Sequence, residues 1–239
     1  VTAAAPVAAA LLLALAVVNL VRRARASRWR AVAGIAGAAI GAGSLVLLDE
    51  AADERLSAHM LQHVLVGDLA PLLLVLALGG GVLTALPAAS RLAAAAGDRP
   101  LASFAVWVVP IAVWHVPALY DAALAHERLH MFEHVTFAVG GVLVWNVLLD
   151  PARSRGAAGW TRFAYAVALL VPSQLLANLL IVSYRPLYPA YGSLADQDRA
   201  GLVMMAEQLA TVGSFAAMTA WMLIRRPEPG PAAQHPFAV

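Results

Sequence analysis

Seven stretches of the chain stay apolar for about 18 residues or more, at about residues 4–21, 31–48, 57–83, 101–120, 128–149, 161–183 and 200–224. A bilayer core roughly 30 Å thick takes about 20 apolar residues in helical form, so each block has the length of a membrane span. Strands of a membrane barrel would instead alternate apolar and polar over about ten positions. The pattern therefore predicts an all-α, polytopic transmembrane helix bundle, because in lipid a helix satisfies its own backbone groups. Residues 1–226 read as a single seven-helix transmembrane domain, and the Pro-rich 227–239 as a flexible cytoplasmic tail. The positive cluster after the first block follows the apolar run, and no small-residue cleavage pattern comes next, so this block reads as a retained helix.

The basic residues orient the bundle. All 16 are arginine. Arg22, Arg23, Arg25, Arg28, Arg30, Arg91, Arg99, Arg153, Arg155, Arg162, Arg225 and Arg226 fall in loops on one side; Arg55, Arg128, Arg185 and Arg199 fall on the other. By the positive-inside rule the richer side is cytoplasmic, which puts the N-terminus outside and the C-terminus inside. With 62% apolar and 13% charged residues in 239, no sizeable soluble domain fits beside the spans. A formal charge of +2 argues against nucleic acid as a partner. The absence of cysteine excludes disulfides and thiolate ligands, leaving histidine, methionine and carboxylates to hold any metal.

Ionisable groups inside a bundle are where function is expected, since they cost several kcal/mol in hydrocarbon unless they face the interior. His59 and His63 are one helical turn apart near the outer end of the third block. His115 precedes Pro117 at the outer end of the fourth. His126, His130 and His134 recur every four residues at the outer start of the fifth, flanked by Glu127 and Glu133. A single interfacial histidine is ordinarily a hydrogen-bonded residue, but two H-x-x-x-H pairs on facing helices are a common way to present imidazoles to one ion. H-M-F-E-H over His130–His134 is not HEXXH, so zincin chemistry does not follow, and no nucleophile elbow, P-loop or G-x-G-x-x-G is present. Met60 and Met131 adjoin histidines, and although thioethers suit Cu(I) they read first as packing; Met204 and Met205 begin the last block, with Glu207 and Gln208 one turn deeper. Asp68 and Glu207 are intramembrane carboxyl groups in need of partners, and Gln174 and Asn178 read as interhelical hydrogen-bond glue.

S-A-H-M-L-Q-H-V-L-V-G-D-L-A-P (residues 57–71), W-H-V-P-A-L-Y-D-A-A-L (114–124), L-H-M-F-E-H-V-T-F (129–137), P-L-Y-P-A-Y (186–191) and A-D-Q-D-R-A-G-L-V-M-M (195–205) together resemble the polytopic CtaG family of cytochrome c oxidase assembly factors. The resemblance spans roughly residues 31–224 in the same order. It implies a multi-pass protein of the bacterial plasma membrane, linked to copper delivery for haem-copper oxidases. It carries over His63 from the Q-H motif, His115 from W-H-x-P, His130 and His134 from H-x-x-E-H, and His59 from the upstream H-M; His126 matches none of these. The expected function is a non-enzymatic factor that holds copper at the extracytoplasmic face and passes it to a cytochrome c oxidase subunit or a copper carrier. Imidazole also suits zinc and iron. The alternative is a haem-binding membrane redox protein with bis-histidine ligation. A His-rich dinuclear oxygenase would need more ligands at cytoplasmic depth than the chain offers. The expected geometry is one connected site of His63, His115, His130 and His134, with His59 at its rim and Glu133 hydrogen-bonded in support.

Overall fold

The computed structural model describes residues 27–79, 87–151 and 159–225, and every regular element among them is helical. In chain order these are α1 (Arg28–Leu47), α2 (Asp49–Glu54), α3 (Leu56–Leu78), α4 (Pro87–Gly97), α5 (Pro100–Trp114), α6 (Pro117–Ala125), α7 (Glu127–Leu149), α8 (Gly159–Val182) and α9 (Leu194–Ile224). Five of them, α1, α3, α7, α8 and α9, are long and apolar enough to cross a membrane; α4 and α5 together make a sixth span if their 86° bend is counted as one broken crossing. The described residues thus carry five to six spans where the apolar pattern predicts seven. The first predicted span, residues 4–21, and the tail 227–239 lie outside the described residues.

Two local departures from the apolar pattern have plain causes. The block expected at 101–120 breaks in the middle: α5 ends at Trp114, His115 caps it, and Val116 turns extended (φ −68°, ψ 122°) before Pro117 opens α6. Proline has no N–H to give and disfavours helical backbone in the residue before it. At 15 residues α5 is roughly 22 Å long, short of a bilayer core on its own. The segment expected as an Arg-bearing loop contains α4, whose P-A-A-S-R-L-A-A-A-A-G is dominated by the best helix former.

At the centre, α7 packs against both α3 and α5. Over half of its apolar window is buried (56%), twice the share of α1, α8 or α9 (28%). Adjacent glycines make this possible. A Cβ on Gly141 would lie 2.0 Å from the Gly67 carbonyl oxygen of α3, and one on Gly140 would lie 2.9 Å from Trp107 Cα of α5. Small residues at such crossings let backbones approach closely, the main source of packing between helices in lipid. The far faces of α5, α7 and α8 expose Val109, Val135, Val139, Val171, Leu175 and Leu179, the apolar surface a bilayer would cover.

Halfway along, α3 and α9 each contain a π-helical stretch, Leu65–Leu69 and Leu209–Gly213. Between them Asp68 is buried and accepts hydrogen bonds from Trp145 Nε1 and from Gln208 Nε2 (2.6 Å), with Thr211 Oγ1 3.1 Å away. Asp68 therefore pairs with indole, amide and hydroxyl groups rather than with a histidine. Asn178 does not act as interhelical glue; its Nδ2 donates to Gln174 O one turn back in α8 (2.7 Å).

Candidate metal centre

The histidines gather at the end of the bundle where α3, α7 and α9 begin. Ser57 and Asp196 fix the relation of α3 to α9 there: the Asp196 carboxylate accepts from the Ser57 N–H (3.2 Å) and from its hydroxyl. Asp196 is itself placed by the Ser193 hydroxyl, which caps α9 by accepting from the Asp196 N–H. His59 and His63, one turn apart on α3, have ring centroids 4.3 Å apart. From α7, His130 stacks on His59 at 5.0 Å, and His134 lies 5.1 Å from His63 and 4.4 Å from His130. One ligand atom each from His59, His63, His130 and Glu133 can be chosen so that all four lie within 4.8 Å of one another. A tetrahedral shell with bonds of about 2.0–2.1 Å holds its donors about 3.3–3.4 Å apart, so small side-chain rotations would close this set around an ion.

The protonation pattern suits a ligand set. Tyr191 Oη lies 2.9 Å from the Ala52 carbonyl oxygen, 3.0 Å from His59 Nδ1 and 3.2 Å from Tyr120 Oη, which donates to it. Burial pushes the Tyr191 phenol up to about 12, so it keeps its single proton. A carbonyl can only accept, which assigns that proton to Ala52 and makes His59 Nδ1 the donor toward the phenol oxygen. Nε2 of His59 then carries the free lone pair, the arrangement in which one ring nitrogen is anchored and the other ligates. His115 follows the same logic, with Nδ1 2.8 Å from the Ile111 carbonyl oxygen.

The free atoms converge. His59 Nε2, both ring nitrogens of His63, the Nε2 atoms of His130 and His134, and both oxygens of Glu133 are buried without a hydrogen-bond partner. Glu133 is 1% exposed, and its nearest ionic neighbour is His63 Nε2, 3.7 Å from Oε1, too far for a hydrogen bond. A buried carboxylate with no donors is expensive, and such groups normally pair with or coordinate a cation. The donor set thus fits a metal ion on its own chemistry.

The placement differs from the sequence expectation at three residues. His59 is 1% exposed and central, in contact with His63, His130, Tyr120 and Tyr191, not at a rim. Glu133 is one of the four residues whose ligand atoms come together, not a hydrogen-bonded support beside them. His115 is not among the four residues whose ligand atoms come together; it lines a cavity behind them with His63 and Phe137, whose ring lies 4.9 Å from His63 and 6.3 Å from His115 between centroids. His126 is exposed and non-helical, the residue on which α6 ends and α7 begins, so its four-residue spacing to His130 places nothing in the cluster. Met131 is half exposed and faces away. Tyr120 and Tyr191 were given no role from sequence, although both lie inside quoted motifs; a phenol near a histidine pair only in space leaves no periodic signal.

The family model described as cytochrome c oxidase caa3 assembly factor (Caa3_CtaG) matches residues 11–226 of the chain. No curated protein and no solved structure matches it.

Proposed function

The chain belongs to the cytochrome c oxidase caa3 assembly factor family, and from that premise we propose that it is a non-enzymatic membrane carrier of copper, held by His59, His63, His130 and Glu133, with His134 at the edge of the set. The observation that carries this reading is the buried Glu133 carboxylate facing imidazole nitrogens that have no other partner. Three neutral imidazoles and one carboxylate give a monovalent ion a neutral site and a divalent ion a site of one positive charge, so burial costs little. That the family serves assembly of a haem-copper oxidase is the support for choosing copper over zinc or iron, a choice imidazole alone does not make. Direct contact between the imidazole rings favours a bare ion over a macrocycle, which would have to separate two of them.

The histidine end is read as extracytoplasmic. Arg30, Arg162 and Arg225 collect at the opposite end, where Arg30 Nη1 donates to Leu76 O at the close of α3 and Arg225 stacks on Trp221 at the close of α9. Half-buried His130 is the most accessible ligand, and Asp49 and Asp53 of α2 lie near enough to act on it electrostatically. Cations would be drawn to the site along that route. The recipient is an oxidase subunit or a carrier on the same face.

Metal analysis of protein purified from copper-supplied cells tests the reading. Wild type should carry copper in stoichiometric amount, and the H63A and E133Q variants should lose it while remaining folded. A Soret band with stoichiometric haem, or copper retained by the quadruple variant of the four ligands, would overturn it.

A further inference from the structure

Behind the histidine cluster a cavity of about 60 Å³ runs into the bundle toward Asp68 and Gln208. Met60 and His63 of α3, His115 at the end of α5 and Met204 of α9 line it. Among the described residues, His63 is the one side chain that belongs both to the His/Glu set and to this wall. From the proposed function above, and resting on it, we infer that the cavity is a second, inner copper station, selective for Cu(I), in which Met60 and Met204 join His115 and His63.

Four observations support the assignment. First, the mainly apolar wall carries polar atoms that a dry packing defect would lack: His115 Nε2 and both nitrogens of His63 are buried without a partner. His63 is 6% exposed, so water outside the bundle does not satisfy it. Second, His115 has Nδ1 anchored on Ile111 O, leaving Nε2 as the lone-pair nitrogen. Its position at the break before Pro117 takes it out of the α5 helix, and Tyr188 Oη donates to its carbonyl oxygen (3.0 Å), tying the break to the segment before α9. Third, Met60 is fully buried and lies one turn before His63 and Val64 on the same stripe of α3, while Met204 is 8% exposed on the facing helix. Core methionines ordinarily fill gaps, but these two border a space they leave open. Thioether and imidazole together prefer Cu(I), whereas the carboxylate of the outer set accepts Zn²⁺ or Cu²⁺ as well. Fourth, His63 borders both stations; its neutral imidazole has one lone pair and serves one ion at a time, so with both stations filled the inner ion rests on Met60, Met204 and His115. The outer set would then take up the ion and the inner station would retain only monovalent copper.

The experiment is titration of the purified full chain in detergent with Cu(I) against a competing chelator, with X-ray absorption at the copper edge. The variants are M60L/M204L, which conserves volume and charge, and H130A/E133Q, which removes only outer ligands. Wild type should bind a second equivalent with sulfur in its shell. M60L/M204L should lose that sulfur signal and weaken the second equivalent about tenfold or more, with the first unchanged; H130A/E133Q should do the reverse. A wild type that binds one equivalent with nitrogen and oxygen neighbours alone would overturn the inner station and leave the outer site standing, and so would unaltered two-equivalent binding in M60L/M204L. A wild type that binds no Cu(I) would overturn both.

Discussion

Tyr191 Oη lies 3.0 Å from His59 Nδ1 and 2.9 Å from the Ala52 carbonyl oxygen, so a phenol from the segment between α8 and α9 decides which nitrogen of an α3 histidine is free. The connection crosses 132 positions of sequence. Removing the hydroxyl frees the ring to take either tautomer and to rotate. Y191F is expected to lower copper affinity about tenfold to a hundredfold, the usual effect of losing the group that orients a ligating histidine. Chelator competition on the purified variant measures this; an unchanged affinity would show that the phenol does not orient His59.

Asp196 holds the start of α3 through two hydrogen bonds from Ser57, two residues before His59. The carboxylate is buried, and hydrogen bonds to a charged group are worth about 1.5–3 kcal/mol. D196A should therefore lower the free energy of unfolding in detergent by about that amount. Copper affinity should fall with it, because α3 carries two of the four proposed ligands. D196N keeps one acceptor and should fall between D196A and wild type. Equal stability of all three in denaturant titrations would exclude a structural role for the contact.

Much of this arrangement is readable from one sequence, and the reasons it is readable also mark where it stops. Lipid requires long apolar helices, so the blocks at 31–48, 57–83, 128–149, 161–183 and 200–224 appear in the structure as α1, α3, α7, α8 and α9, while the block at 101–120 is broken between α5 and α6. H-x-x-x-H places two side chains on one helical face whatever the fold, so the His59/His63 and His130/His134 pairs are legible before any contact is known. Depth within the bundle is not. His59 reads as a rim residue by its position near a helix end, yet Tyr120 and Tyr191 close over it, with Tyr188 packed on Tyr120, from segments whose docking no helical period predicts. The same holds for Glu133, which flanks His134 in sequence but faces His63 across the α3–α7 crossing that Gly141 makes close. His126 shows the converse error: it fits the four-residue period and falls just outside the helix that would have made the period meaningful.

The glycine contact gives a sharp stability test. A Cβ at position 141 would meet the Gly67 carbonyl oxygen at 2.0 Å, which no side-chain movement relieves because the obstacle is backbone. G141A should destabilise the bundle by about 1–3 kcal/mol or more, as overpacking does elsewhere. G43A, where the nearest neighbour is the end of the Leu47 side chain at 4.0 Å, should be close to neutral. Thermal unfolding of both in detergent checks the pair; similar midpoints would mean that α3 and α7 do not cross as closely as described.

The orientation assigned from the arginines predicts that a reporter fused after Arg226 is active only in its cytoplasmic form. Activity of a periplasmic reporter at that position would put the histidine end on the cytoplasmic side and remove the route by which extracytoplasmic copper reaches it.

The geometry also ranks single substitutions of the histidines in a way that equal spacing along helices does not. His59, His63, His130 and Glu133 form the set whose ligand atoms lie within 4.8 Å of one another, so H59A, H63A, H130A and E133Q should each weaken the first copper equivalent by about tenfold or more. H63A should be the most severe, because His63 alone borders both the set and the cavity. His134 touches His63 and His130 by its ring and lies outside the set, so H134A should cost less. H115A should leave the first equivalent intact, since His115 lines the cavity and is outside the His/Glu set, and H126A should match wild type because that side chain is exposed. Stoichiometric titration across the seven variants reads the order directly. If H115A abolished the first equivalent as completely as H63A, the ion would have to sit in the cavity, and Glu133 would lose its assigned role.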